Sequence, residues 1–488
     1  MHVVMLASEC APAAKVGGLG DVVHGLSQEL VARGHRVEII LPKYDCLRLD
    51  RVEGLALEPA PLSVPWQDGS VLCEVYSGLI DGLDCRFIAP GATHPYFQRG
   101  RFYGSPDDVE RFTFFSRAAL EWLHQTGARP DVLHCHDWQT ALAPVLLYEI
   151  YERLGMDQTR VCFTLHNLAH QGLTDAKTLS WAGLNPASLL TPDRLLDARW
   201  PGAVNLMKGG IVYSNHVTTV SPTYAREVMS SALGMGLEPT LAAHQDKFSG
   251  ILNGIDHRAW DPARDPRIAA PFDAATLDKK YENKRALRAR LGLREGFKPL
   301  VASIGRLDPQ KGVDLIRQAI PYCLNSGAQF VLLGSSPVPE IQRQFEALRD
   351  QYESSADCRL ELAYNEELSR LIYAGADLIL VPSRYEPCGL TQLIALRYGT
   401  IPVVRRTGGL ADTVVDAGDE GAAAESRNGY LFADYSWAGF EPSLRRALGL
   451  WFAYPWEFRD LIVNAMRCDF SWRHPAAEYE KIYQRIRP

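Results

Sequence analysis

Two glycine-rich turns, each breaking an apolar run, constrain this chain more than any other feature. The first is Lys15-Val16-Gly17-Gly18-Leu19-Gly20-Asp21, after the run Val3 to Ala7. The second is Gly305-Arg306-Leu307-Asp308-Pro309-Gln310-Lys311-Gly312, after Leu300 to Ile304. A strand that ends in glycines and then starts a helix is how α/β proteins hold phosphate. The helix N-terminus offers free N–H groups, and glycine lets the backbone come close. One such turn in each half, with cations in or beside both, points to two nucleotide-fold domains facing one sugar-phosphate donor. A length of 488 residues also exceeds what one core usually supports.

The periodicity agrees. In the first half, apolar β-rich runs at Val3–Ala7, Arg36–Leu41, Val71–Tyr76, Leu83–Ala89, Asp131–His134 and Val161–Leu165 alternate with helical patterns at Asp21–Arg33, Val109–Gln125 and Trp138–Arg153. This predicts a parallel sheet with helices on both faces. Gln171 to Arg199 reads as one long loop, of the kind that is often functional. A Pro-, Ala- and Asp-rich stretch from Asp261 to Asp278 marks a boundary. Beyond it, strands at Leu300–Ile304, Phe330–Leu333, Leu360–Leu362, Leu378–Val381 and Pro402–Val404 again alternate with helices. Lys279–Leu291 reads as a charged, solvated helix beside the linker. The last helix, Ala476–Ile486, is amphipathic and is expected to cross back onto the first domain. The expected fold is α/β, with two doubly wound Rossmann-like domains and an interdomain cleft. The first domain is residues 1–253 joined by a C-terminal helix at 466–488, and the second is residues 254–465.

Composition narrows the function. With 47% hydrophobic and 22% charged residues the chain is ordinary for a soluble globular protein. A net charge of −7 and no long basic tract argue against nucleic acid. No apolar run reaches the ~20 residues that span a bilayer, and Met1–Ala7 lacks the basic flank of a signal peptide. The ten cysteines are scattered, without C-x-x-C, so a reducing cytoplasm is expected. His134-Cys135-His136 invites a metal reading, but strand neighbours point to opposite faces and no second ligand pair lies nearby.

Several constellations could carry chemistry. In the first turn, glycines free the backbone, Lys15 can meet a phosphate and Asp21 a sugar hydroxyl. Alone, that pattern also fits a plain strand–helix turn, and it lacks the third glycine of a dinucleotide fingerprint. Arg306 offers a planar fork to phosphate oxygens and Lys311 a compact charge, both just past a strand's C-terminal end. Arg384-Tyr385-Glu386-Pro387-Cys388-Gly389-Leu390-Thr391 follows another strand and opens a helix. The amides at Gly389 to Thr391 would point to a ligand, and Glu386 suits sugar hydroxyls. Cys388 also reads as simple packing. His136-Asp137-Trp138 and His166-Asn167-Leu168 each follow a strand in the first half, and His166 and Asp137 could meet a sugar there.

Taken together, these motifs resemble one family. Lys15-Val16-Gly17-Gly18-Leu19, His136-Asp137-Trp138, His166-Asn167-Leu168, Lys208-Gly209-Gly210, Asn253-Gly254-Ile255-Asp256, Arg306 with Lys311, and Glu386 to Thr391 look like bacterial glycogen synthase and plant starch synthase, glycosyltransferase family 5, with the GT-B fold. The similarity runs along essentially the whole chain, and Tyr44-Asp45-Cys46 and His136-Asp137-Trp138-Gln139-Thr140 look most like cyanobacterial synthases and the related plant isoforms. It implies retaining transfer of glucose from ADP-glucose to the non-reducing end of an α-1,4-glucan, by a front-face mechanism, with no cofactor and no metal. It further implies that Lys15, Gly17 and Gly18 lie near the donor diphosphate, which Arg306 and Lys311 neutralise. Glu386, with the backbone of Cys388, Gly389 and Leu390 beside it, would bind the glucosyl hydroxyls, and His166 the transferred glucose. Asp137 and Asn253 would position donor sugar or acceptor, Asp21 would touch the donor, Tyr364 would stack on adenine, and Thr391 would reach a phosphate. Two alternatives stay open: another GT-B enzyme, such as a UDP-sugar transferase or a phosphorylase, and a glucan-binding relative without turnover.

Overall fold

The computed structural model describes residues 1–230 and 232–488. The chain divides into two compact units, residues 1–254 with 472–488, and residues 255–471.

The first unit is built on a ten-stranded sheet. Its strands are β1 (His2–Leu6), β2 (Arg36–Pro42), β3 (Glu53–Leu57), β4 (Leu62–Trp66), β5 (Gly69–Ile80), β6 (Leu83–Pro90), β7 (Val132–His136) and β8 (Arg160–Leu165). After a small antiparallel pair, β9 (Leu173–Thr174) with β10 (Val204–Asn205), come β11 (His216–Thr219) and β12 (Phe248–Gly250). The order is β12-β11-β8-β7-β1-β2-β6-β5-β3, with β4 on β5. From β12 to β6 every pairing is parallel. The continuous apolar run of β1 follows from this place, because a central parallel strand is covered on both faces. The pairings of β5 with β3, β4 and β6 are antiparallel.

The helix Arg473–Ile486 packs on this unit through Ala476, Tyr479, Ile482 and Tyr483. Trp472, just ahead of it, lies against the helix Gly18–Ala32. A Cβ on Gly25 of that helix would come within 2.0 Å of Trp472 Nε1. A mid-helix glycine costs about 1 kcal/mol relative to alanine, and here it makes room for the indole. The segment returning to this unit therefore begins at Trp472 and not at 466. Residues Pro455–Arg467 form a helix whose Phe458, Leu461 and Ala465 are buried in the second unit.

Two further expectations for the first unit are corrected. Trp138–Arg153 is not one helix. It is a 3₁₀ turn at Trp138–Thr140, a short α-helix at Leu142–Leu146, a π turn at Leu147–Tyr151 and a 3₁₀ turn at Glu152–Leu154. Pro144 has no N–H to continue a helix begun at Trp138, so the α-helix restarts with proline in its first turn. Gln171–Arg199 is not an open loop either. It holds β9 and short helices at Ala176–Trp181 and Pro186–Leu189, capped by Asp175 and Asn185.

The second unit has six parallel strands: β13 (Leu300–Ile304), β14 (Gln329–Leu333), β15 (Cys358–Glu361), β16 (Leu378–Val381), β17 (Ile401–Arg405) and β18 (Tyr430–Phe432). Their order is β15-β14-β13-β16-β17-β18. This is the doubly wound order of dinucleotide-binding folds, and it reverses direction between β13 and β16. The incoming and outgoing segments of the unit pair at Ile255 and Ser471. Among the described residues, no helix is long and apolar enough to cross a membrane.

The helix Asp278–Leu291 is the largest correction. Its Lys280, Asn283, Lys284 and Arg288 are buried. Lys280 Nζ donates to Ala374 O (3.0 Å), Tyr398 O (2.9 Å) and Thr400 Oγ1 (3.0 Å). Lys284 Nζ lies 2.6 Å from Asp377 Oδ2, and Arg288 Nε donates to Gln329 Oε1 at 2.8 Å. The aliphatic stems pack like apolar residues while the heads reach carbonyls at the ends of neighbouring elements.

Burial pushes the Lys280 ammonium down to about 7. Unfolded lysine titrates near ~10.4, so between these values the unfolded chain binds more protons and stability rises with pH. Lys280→Met is expected to be less stable than wild type by roughly 2–4 kcal/mol at pH 7, because it strips buried carbonyls of their donor. Urea titrations at pH 7 and pH 9 should show the gap widening by roughly 2 kcal/mol at the higher pH. A gap that stays constant would show that Lys280 does not titrate in this range.

Candidate active site

In the second unit the polar loops meet at the switch point. The turn after β13 is capped by Asp308, whose carboxylate accepts from the Lys311 N–H at 3.3 Å. Gly312 then takes φ +72°, and a Cβ there would lie 2.1 Å from Pro382 O, so the turn docks directly on the exit of β16. This brings Lys311 Nζ to Glu386 Oε2 at 2.6 Å. Ser383 Oγ donates to the same oxygen at 2.9 Å. Glu386 is buried, and Lys311 answers its charge. Arg306 is different: its side chain is 66% exposed and lies 3.5 Å from Asp308 Oδ2.

The Glu386 carbonyl accepts from Gly409 N at 3.1 Å. Gly389 is left-handed, with φ +74°. Gln392 Nε2 holds the carbonyls of Cys388 (3.0 Å) and Gly389 (2.9 Å), fixing the loop from within. Cys388 is buried, Leu390 precedes the short helix Thr391–Arg397, and Thr391 bonds the Tyr373 hydroxyl. Tyr364 is 82% exposed, just ahead of the Asn365 cap of the helix Glu366–Gly375.

In the first unit the glycine turn is already engaged. Glu9, buried three residues past β1, accepts from Val16 N (2.7 Å) and Gly17 N (3.0 Å), and its other oxygen accepts from the Tyr103 hydroxyl (2.7 Å). Sequence reasoning missed this residue, although an acid two positions past a buried run is the signal that could have found it. Gly18 starts the helix, and Lys15 Nζ donates to Asp21 Oδ1 at 2.8 Å. The cation and carboxylate assigned to the ligand thus pair with each other in this structure.

Asp137 and His166, read as separate sugar contacts, are brought together. Asp137 has φ 55°, a strained value for a non-glycine residue. Its Oδ1 accepts from the backbone of His166 (2.7 Å) and Asn167 (3.3 Å). Burial raises its carboxyl to about 7. His166 Nε2 lies 3.1 Å from His136 Nδ1, and the His136 ring lies 4.2 Å from that of His134. His134 bonds the Tyr483 hydroxyl (2.7 Å) and Thr164 Oγ1 (2.6 Å). Burial lowers His134 and His166 to about 3 and pulls His136 well down, so all three rings are neutral at pH 7. Asn253 is buried, and its Oδ1 has no hydrogen-bond partner among the described residues. Lys15, Asp137, His166 and Asn253 all follow the C-terminal ends of parallel strands. No group of three His, Cys, Asp or Glu among the described residues could hold a metal ion.

Two Rossmann-like units with polar loops at their carboxyl edges are the architecture of the GT-B fold. Comparison with known proteins narrows this. Residues 2–243 match the starch synthase catalytic domain family, and residues 283–455 match glycosyl transferases group 1. Glycogen synthase 1 of Nitrosococcus oceani is 54% identical over 486 residues, covering 100% of this chain and 99% of that one. Probable starch synthase 4 of Arabidopsis thaliana is 50% identical over 99% of this chain and 47% of its own length. The solved catalytic domain of starch synthase IV from Arabidopsis thaliana, bound to ADP and acarbose, superposes with a TM-score of 0.97 at 49% identity, covering 99% of both chains. The chain belongs to the family of bacterial glycogen synthases and plant starch synthases.

Asp137→Ala should release the His166 turn and lower kcat/KM by about 100-fold, the usual effect of a misplaced contact. Asp137→Asn keeps an oxygen for both amides and should lose less. The folded carboxyl titrates above its unfolded value, so folding stability falls as pH rises from ~4 to ~7. The Asn variant escapes this loss. Calorimetry at pH 8 should show it melting above wild type, and the activity profile should lose an inflection near pH 7. A variant melting below wild type would contradict the assignment.

Proposed function

We propose that this glycosyltransferase moves glucose from ADP-glucose to the non-reducing end of an α-1,4-glucan, with retention, and releases ADP. The carrying observation is the Lys311–Glu386 pair at the switch point, with exposed Arg306 on the same turn. The related plant catalytic domain bound to ADP and acarbose supports the nucleotide and a saccharide acceptor.

As the glycosidic bond breaks, charge moves onto the leaving diphosphate and the sugar becomes oxocarbenium-like. Arg306 and Lys311 oppose the first charge, and do so more strongly in the transition state than before it. Glu386 orients glucosyl hydroxyls from a buried position. His166 is held neutral, so it can bond a sugar hydroxyl without setting a positive charge beside a cationic ring. A double-displacement route would need a carboxylate nucleophile. Glu386 is engaged by Lys311 and Ser383, and Asp137 by two amides. Front-face attack therefore fits best, with a donor phosphate oxygen taking the acceptor proton. The two cations do the neutralising that a metal would otherwise do.

Glucose incorporation into glycogen should be strong from ADP-glucose, weak from UDP-glucose and unaffected by EDTA. Glu386→Ala should lower it by roughly 100- to 1,000-fold, as for loss of a transition-state contact. Activity from UDP-glucose alone would overturn the donor, and loss in EDTA would overturn the metal-free mechanism.

A further inference from the structure

The second unit holds a cavity that the candidate site does not use. Arg306, Lys311 and Glu386 follow the C-terminal ends of β13 and β16. A cavity of about 500 Å³ lies at the opposite edge of that sheet, where Phe297 precedes β13 and Gly375 and Asp377 precede β16. At about 3.3 Å per residue, the length of β13 alone sets the two roughly 15 Å apart.

Its lining is aromatic and open. Trp456 is 78% exposed, Phe297 69% and Tyr281 51%. Trp451 forms a buried wall, its ring 4.6 Å from that of Phe297. A single exposed aromatic residue is ordinary, but three around one cavity are not. Asp278 and Arg459 stand among them, paired at 3.1 Å, with the Asp278 side chain almost fully exposed.

We propose that this cavity is a second binding site for α-1,4-glucan, which holds the polymer while one of its chain ends reacts at the other edge of the sheet. The proposal rests on the reading that the acceptor is a glucan. A glucopyranose ring presents a face of C–H bonds and an edge of hydroxyls. The C–H face packs on aromatic rings, whose negative faces attract its hydrogens. Asp278 accepts from hydroxyls at the edge and Arg459 donates to them. The volume is in the range of small-molecule sites and admits a short run of hexose units. A protein partner would press apolar side chains on these rings and desolvate Asp278, whereas charges are depleted at the cores of protein interfaces. A sugar keeps that carboxylate hydrogen-bonded. A short oligosaccharide occupies one edge of the sheet or the other, and only a long or branched glucan reaches both, which raises the local concentration of its free ends.

The test is the full chain carrying Phe297→Ala with Trp456→Ala, both exposed positions. Affinity electrophoresis through glycogen, sedimentation velocity, and kinetics with glycogen and with maltotriose are compared with wild type. Loss of two stacking contacts should weaken glycogen retention about tenfold. The glycogen KM should rise by a similar factor, with kcat and maltotriose activity unchanged, and Phe297→Trp should restore retention. Unchanged retention would overturn the site. So would equal losses on both acceptors, or a wild-type dimer that the variant splits into monomers, which would make the patch a self-association surface. Wild type retained by glycogen through these residues but transferring no glucose would support the site and overturn only the activity reading.

Discussion

A buried carboxylate must be answered by hydrogen bonds or a cation, and Glu386 has both, Ser383 Oγ at 2.9 Å and Lys311 at 2.6 Å. Removing one member of such a pair leaves an uncompensated charge and typically costs about 3–5 kcal/mol. The pair therefore does more than decorate a loop. It ties the turn after β13 to the segment after β16, across the point where the strand order reverses. The Asp308 cap, the left-handed Gly312 against Pro382 and the carbonyl of Glu386 held by Gly409 are all arranged around that tie. It also sets the electrostatics of the unit's carboxyl edge. Lys311 is neutralised by Glu386, whereas Arg306, 66% exposed on the same turn, is the more accessible of the two cations.

The first unit uses carboxylates in the same spirit, to hold backbone in place. Glu9 takes two amides of the glycine turn, and Asp137 takes two amides of the His166 turn. The simple picture of a glycine turn as an open nest of N–H groups is thus incomplete. The buried acid ties down the amides of Val16 and Gly17, which leaves the helix start at Gly18 and the Lys15–Asp21 pair beyond it. The chain of neutral rings from His166 through His136 to His134 ends on Tyr483 of the C-terminal helix. Packing of the last helix therefore bears on the orientation of His166.

Much of this was legible in the residues. Central parallel strands announce themselves as continuous apolar runs, so β1, β13 and β16 could be found within a residue or two. Glycine turns marked where the loops leave them. The failures have physical causes. The helix Asp278–Leu291 looks solvated because lysine and arginine are counted as surface residues, while here their stems are core and their heads meet carbonyls supplied by distant segments. No local pattern can reveal such partners. Trp138–Arg153 keeps helical spacing through a proline that only a restart can accommodate. Glu9 was hidden because its partners lie seven and more residues away, at Val16, Gly17 and Tyr103. The strand order of either sheet was likewise beyond reach, since alternation fixes the class of a sheet and not the sequence of its neighbours.

Where the first unit gives up stability is informative in itself. Asp137 combines a left-handed backbone with a carboxyl that burial raises to about 7. His136 Nε2 and Asn253 Oδ1 are buried without hydrogen-bond partners among the described residues. Each is unfavourable by about 1–3 kcal/mol in a fold that is only marginally stable. At position 137, Asn would remove the cost of the buried carboxyl while keeping an acceptor for both amides, and only Gly would relieve the backbone. These features fall past the C-terminal ends of β7 and β12 or on β7 itself, the edge at which open parallel sheets bind ligands. In the second unit the same edge carries the Lys311–Glu386 pair, while the buried cations of Asp278–Leu291 are fully partnered away from it. Buried polar atoms without partners also occur elsewhere among the described residues, as at Ser27 Oγ, His124 Nδ1 and Arg370 Nε, and burial acts against the Lys280 charge as well; what marks this edge is that three such features cluster around the ends of β7 and β12.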